Sequence, residues 1–274
     1  MSVLSARAVA VSILLAVCGM TSCSHPTPGT SDRANFYWSA AGETYAAADY
    51  GKTADHLEHL LDAPNQYTAL AIPWYLMLTS GMAAGYMELA DQYVAGAHMN
   101  KTKSAAFRSK AAAYRMMASE WAMRFAQNAD RLKQIPLGPL PLGFALPNGS
   151  AAEPALLSRI AQGVPLPPAD ADAAEVLTLR HAVLMAVCQA AGAPQNLAKA
   201  EDILGRKPAE VPRATFGNAV ADMLDSEAAL YGRNRLDQPQ KLTALRERAG
   251  IVRKEAARVG SARIVEAASV ARPK

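Results

Sequence analysis

Residues 68–99 read TALAIPWYLMLTSGMAAGYMELADQYVAGAHM, a stretch with no charged residue before Glu88. Long apolar and aromatic side chains recur through it at Trp74, Leu76, Leu78, Met82, Tyr86, Leu89 and Tyr93. Their spacing predicts one long helix over 68–99. Asn100-Lys101-Thr102 makes a corner, and residues 103–132 then carry Phe107, Tyr114, Met117, Trp121, Phe125 and Leu132 at helical intervals. Two such segments of about thirty residues each, joined by a short turn, predict an extended antiparallel helix pair. Gly81-x3-Gly85 predicts a close helix contact, read as packing rather than as a membrane dimer motif. Composition agrees with the pair: apolar residues make up 51% of the 274, aromatics only 6%, and alanine is abundant. Alanine is the best helix former, while the β-branched residues are too sparse for several strands. The fold class is all-α.

Upstream, Trp38, Ala41, Gly42, Tyr45 and Ala54 follow the W-x2-small-G-x2-Y…A spacing and resemble a tetratricopeptide repeat. On this reading Trp38 and Tyr45 face the partner helix, while Gly42 and Ala54 let the two helices approach. Asp49-Tyr50-Gly51 turns the chain, Leu57, Leu60 and Leu61 form an apolar stripe, and Pro64-Asn65 ends it. Residues 32–132 are therefore expected to form an N-terminal region of tetratricopeptide-like helices, stacked as a solenoid or bundle. Residues 133–151 interrupt it with Ile135-Pro136-Leu137-Gly138-Pro139-Leu140-Pro141-Leu142-Gly143-Phe144. The prolines exclude a helix, and the apolar content predicts a loop lying against the body or lining a groove. Residues 152–240 are expected to return to helical hairpins, over 172–191 with 195–204 and over 213–232 with 236 onward.

The formal net charge of +4 is uneven. Residues 241–274 hold nine Lys/Arg against three Asp/Glu, which leaves the body slightly acidic. That argues against a nucleic-acid-binding body, where basic residues cover one folded face. The tail reads as a basic amphipathic helix with Leu242, Leu245, Val252, Val259 and Val265 as apolar positions, weakened by Gly250 and Gly260.

Residues 1–22 read as a signal peptide, with Arg7 before an apolar run from Ala8 to Val17 that is too short to span a bilayer. Met20-Thr21-Ser22-Cys23-Ser24 resembles the lipobox of bacterial lipoproteins, with small residues before the cysteine, although Met20 stands where leucine is usual. Leu15-Ala16-Val17-Cys18 competes, with the better leucine but a bulky Val17. Cys23 is taken as the lipidated residue, a covalent lipid anchor and the one non-protein group implied. Residues 23–31, rich in Ser, Thr, Pro and Gly, read as a flexible tether. The expected location is the periplasmic face of the outer membrane. Cys188, within an apolar helical run, is read as a small buried hydrophobe.

Catalytic motifs are missing: there is no G-x-S-x-G, no phosphate-binding glycine loop and no H-E-x-x-H. His56 and His59 share a helix face beside Asp55, Glu58 and Asp62, which reads as solvated polar surface more readily than as a zinc site. Glu88 and Asp91 form an i, i+3 carboxylate pair without a visible partner constellation. Arg108, Arg115 and Arg124 recur along 103–132, placed either to grip an anionic ligand beside Trp74 and Trp121 or to pair with Glu88, Asp91 and Glu120. The candidate ligand-binding residues are Trp74, Tyr86, Arg108, Arg115 and Trp121. No metal and no catalytic residue is expected.

From His59 to Leu132 the order Leu60-Leu61…Pro64-Asn65, Gly85-Tyr86-Met87-Glu88-Leu89-Ala90-Asp91 and Phe107-Arg108…Tyr114-Arg115…Trp121-Ala122…Phe125-Ala126 is similar to the T component of tetratricopeptide-associated TRAP transporters. The resemblance stops at the Pro-rich loop. It implies a periplasmic lipoprotein with a helical-repeat body and an apolar pore, which binds a solute-binding protein and passes on a small apolar or organic-acid ligand without catalysis. The residues themselves leave a second function open, an envelope-assembly scaffold that docks an acidic partner through the basic tail.

Overall fold

The computed structural model describes residues 30–147, 154–206 and 208–270, with side chains over 31–147, 155–206 and 208–260. The signal peptide, Cys18, Cys23 and nearly all of the tether lie outside the described residues, as does the Val265 side chain.

Among the described residues the chain is mostly helical. It runs α1 (Thr30–Ala46), α2 (Tyr50–Leu61), α3 (Thr68–Met99), α4 (Ser104–Asn128), β1 (Leu140–Leu142), α5 (Pro154–Ala161), α6 (Pro168–Ala190), α7 (Leu197–Leu204), β2 (Ala209–Val211), α8 (Arg213–Ala228) and α9 (Pro239–Val270). Short 3-10 turns follow α4 and α8.

A helix that is apolar around its whole circumference has to be buried. Every residue of α3 from Ala71 to Ala83 is buried, and α2, α4, α5, α6, α8 and β1 all pack on it. Its ends are set by asparagines. Asn65 Oδ1 accepts from the Tyr67 amide while its Nδ2 donates to the Leu60 carbonyl, closing α2 and aiming α3. Asn100 Oδ1 accepts from the Lys103 amide and its Nδ2 donates to the Gly163 carbonyl, which turns the chain into α4. The packed antiparallel pair expected over 68–132 is present as α3 and α4. The second closely packed pair is α8 with α9.

Gly81 and Gly85 bring α3 against α6, not α4. A Cβ on Gly81 would stand 2.6 Å from Cα of Val183, and one on Gly85 would stand 2.9 Å from Cδ2 of Leu179. At Gly81 the obstacle is backbone, so a side chain larger than hydrogen forces the two helices apart there.

The Pro-rich segment departs from a simple loop. Leu140 pairs with Val211, Pro141 with Glu210 and Leu142 with Ala209 in an antiparallel two-stranded ribbon. Pro141 is tolerated because its pairing has only one neighbour. Beyond the ribbon, Phe144 stacks on Trp38 at 4.8 Å and on Tyr45 at 4.9 Å and tilts against Trp74 at 5.3 Å. Tyr45 Oη donates to the Ala145 carbonyl at 2.6 Å. The repeat-like aromatics Trp38 and Tyr45 thus face the Pro-rich segment and α3, and not chiefly α2 as their spacing suggests. Gly42 likewise has no close helix neighbour, the nearest atom to a Cβ there being Phe144 Cε1 at 4.0 Å. Ala41 and Ala54 do sit fully buried in the core.

Over residues 241–260 the basic tail is a docked helix. Leu245, Ala249, Val252 and Ala256 of α9 are buried, and Gly217 of α8 receives Ala256. Arg253 reaches Asp222 at 2.7 Å and Asp225 at 2.9 Å, and Arg248 pairs with Asp130. No described helix is long and apolar enough to cross a membrane.

Candidate functional site

Two concavities border the α3–α6 crossing, and they share no wall residue. The first is an open groove of about 570 Å³ between the start of α2, α3, α4 and α6. Trp121, Tyr86, Met82 and Met117 give it an aromatic and thioether wall, with Tyr50 and Arg180 also facing it and Asp49 and Glu120 as its acidic residues. The Tyr50 hydroxyl and the Arg180 Nε are both buried without a hydrogen-bond partner. Burial raises the Tyr50 phenol above its ordinary value, and the nearby Arg180 charge pulls it back. A neutral phenol donor beside a guanidinium is suited to an oxyanion whose remainder is apolar.

Tyr86 is held rigidly. Its hydroxyl donates to Glu175 Oε1 at 3.3 Å, and Tyr114 donates to Oε2 of the same carboxylate at 2.9 Å, so one α6 residue ties α3 and α4 together. The two phenol rings stack at 6.0 Å. Burial, with the Glu175 charge adding to it, pushes both phenols well above the usual range.

The other sequence candidates are dispersed. Trp74 is 0% exposed, wedged between Tyr45 and Phe144 in the core, with its indole Nε1 unpartnered. Arg108 is exposed on α4 and Arg115 is half-buried with an unpartnered Nε, and neither is a wall of the groove. The spacing along α4 predicts a guanidinium row beside the aromatics, whereas the guanidinium at the groove is Arg180 of α6. Arg124 pairs with Asp55 at 2.8 Å and Glu58 at 2.6 Å of α2, and lies 4.4 Å over the Trp121 ring. Of the carboxylates named from sequence as partners of these arginines, Asp91 binds Arg235 at 2.6 Å, Glu88 turns inward and Glu120 lines the groove.

The second concavity is a chamber of about 260 Å³ between α3, α6 and α8. Its walls are small or thioether side chains, among them Ala83, Ala186, Met87, Met185 and Met223, with Glu88, His181 and Glu227 as the titratable groups. Glu227 is 4% exposed, and no described cationic side chain acts on its carboxyl. Burial holds its carboxyl well above the carboxylate range, against a smaller opposing pull from the Ser80 hydroxyl. Burial also raises Glu88, with His181 opposing. The His181 Nδ1 is itself buried and unpartnered.

His56 and His59 flank Tyr37, with His59 stacked on its ring at 4.5 Å and 3.6 Å from Asp62. The described residues bring no three His, Cys, Asp or Glu side chains together as a metal cluster. Cys188 is fully buried beside Leu184, Ala193 and Ala200, and burial raises its thiol. Comparison with protein-family models, with curated proteins and with solved structures finds no match to this chain.

Proposed function

We propose that this chain is a non-catalytic, lipid-tethered periplasmic protein that holds a small organic acid in the α2–α3–α4–α6 groove and presents it to a partner protein. The reading keeps the lipid on Cys23, the tether over 23–31 and a location at the outer membrane. It treats α1 to α4 as a tetratricopeptide-like stack of hairpins that carries the groove. A TRAP-type solute-binding protein is the partner that suits such a ligand.

One observation carries it. Two residues singled out along the sequence, Tyr86 and Trp121, line a single open groove where the Tyr50 hydroxyl and the Arg180 Nε are buried without hydrogen-bond partners, Asp49 and Glu120 being its acidic wall residues. Aromatic walls with few convergent polar groups are the usual make-up of a small-ligand site. The envelope-assembly alternative rests on the basic tail, whose Arg248 and Arg253 already face carboxylates of this chain.

The test is capture from solubilised envelopes with the lipidated protein, a Cys23→Ala control and an Arg180→Gln, Trp121→Ala double variant. The expected result is a solute-binding protein co-purifying with the lipidated protein, together with an organic acid that the double variant loses. An unmodified Cys23 overturns the tether, and acid retention undiminished in the double variant overturns the groove.

A further inference from the structure

A carboxyl group buried in an apolar helix interface is costly unless something satisfies it. Glu227 occupies such a place. Phe216, Val220, Met223 and Leu230 continue its face of the chain through α8 and the 3-10 turn after it, all of them buried, and Glu227 interrupts that row. Leu or Ala there would complete the core. Instead the carboxyl, with the Ser80 hydroxyl as its neutral neighbour and no cation acting on it, stands on the wall of a chamber far larger than the roughly 30 Å³ share of one water.

The chamber's electrostatics are one-sided. No Lys or Arg lines it, Glu88 adds a second carboxyl, and His181 is the one basic group on its walls. Arg235 touches Met87 Sδ at 2.9 Å, but its charge is directed to Asp91 at 2.6 Å. Three methionines, Met87, Met185 and Met223, supply polarizable, adaptable walls, and alanines leave the space open. Such a cavity offers an anion no Lys or Arg partner. For a neutral apolar guest, it leaves the carboxyl unsatisfied.

We propose that the chamber between α3, α6 and α8 is a binding site for a small organic cation, a protonated amine with apolar substituents, with Glu227 as its counter-ion. The ammonium group supplies the positive charge that Glu227 lacks and donors beyond the Ser80 hydroxyl, and the alkyl part packs on the methionines. Glu88 at the same wall adds attraction. This site is independent of the groove: it shares no wall residue with it and takes the opposite charge.

The test is titration of the purified full-length protein by calorimetry with n-hexylammonium chloride, against hexan-1-ol as a neutral match in shape. The expected result is saturable 1:1 hexylammonium binding, with hexanol weaker by about tenfold or more, that is ~1.4 kcal/mol. Glu227→Gln, which keeps the shape, is expected to remove that preference and at the same time raise thermal stability, since an unsatisfied acid is replaced by a neutral amide. A carboxyl kept only for structure would instead lose stability on this change. Ala186→Leu, which fills the chamber and leaves Glu227 in place, is expected to abolish binding. Arg180→Gln is expected to leave hexylammonium binding intact, so failure of the groove reading does not touch this one. Equal binding of hexanol, unchanged hexylammonium affinity in Glu227→Gln or Ala186→Leu, or no saturable binding at all, overturns the proposal.

Discussion

The aromatic corner at Phe144 and the chamber at Glu227 lie on different sides of the same central helix, and they use their residues in opposite ways. In the corner, Trp38, Tyr45, Trp74 and Phe144 stack ring on ring, and the one hydroxyl there finds a carbonyl. In the chamber, small side chains leave space, and a buried carboxyl has no cationic partner. Close-packed regions turn volume into stability, whereas an open region with an unpaired acid gives stability up. Substitution is therefore expected to cost stability on one side and to add it on the other.

Trp74→Ala breaks the comparison at its strongest point. Emptying a fully buried indole site is expected to cost about 3–5 kcal/mol, read as a lowered denaturant midpoint with its slope unchanged. A loss no larger than that of a surface substitution would mean that the corner is not the anchor its stacking implies. Gly81→Ala comes next. Its Cβ would meet Val183 backbone at 2.6 Å, so the α3–α6 crossing has to part, at about 1–3 kcal/mol by the same measurement. A neutral result would show that the crossing is looser than this.

The chamber gives the smallest and most diagnostic effect, through pH. In the folded protein without a ligand, burial raises the Glu227 carboxyl above its unfolded value. Its contribution is fully present below the unfolded value and is lost as pH rises through the folded one. Wild type is therefore expected to fall in stability relative to Glu227→Gln as pH climbs above the ordinary carboxylate range. Glu88, raised in the same direction, is common to both proteins and cancels in the difference. A gap that stays constant with pH would show that Glu227 does not titrate on folding.

Much of the helical layout could be read from residues because it is written in local periodicity. α3 occupies the 68–99 span, and the turn at Asn100 sits where polar residues interrupt the apolar run. The ribbon could not be read this way. Leu140 and Val211 are far apart in the chain, and neither three-residue segment is long enough to show an alternation. α5 went unread for the same reason, eight residues being too short for a clear helical period. At the site, Tyr86 and Trp121 were legible as aromatics within a helix, but Trp74 shares that signal and is core. Periodicity says that a ring faces inward and does not say whether space lies beside it. Arg180 was passed over because its groove is made by four segments. Glu227 did leave a trace, an acid on the buried row of Phe216, Val220 and Met223, and a search for carboxylates at apolar heptad positions would have found it.

The β1–β2 ribbon has a consequence for how the chain folds. The helix pairs are local and can form early, but the ribbon joins segments on either side of α5, α6 and α7, and Arg213 adds its hydrogen bond to the Ile135 carbonyl across 78 residues. Closing so long a loop costs about 4 kcal/mol of chain entropy before any contact repays it. Non-local pairings of this kind slow folding, so the clasp is the natural last step, made once α6 has docked on α3. Once made, it pins the intervening helices at both ends, and a protease cut between α5 and α6 would leave two fragments that travel together.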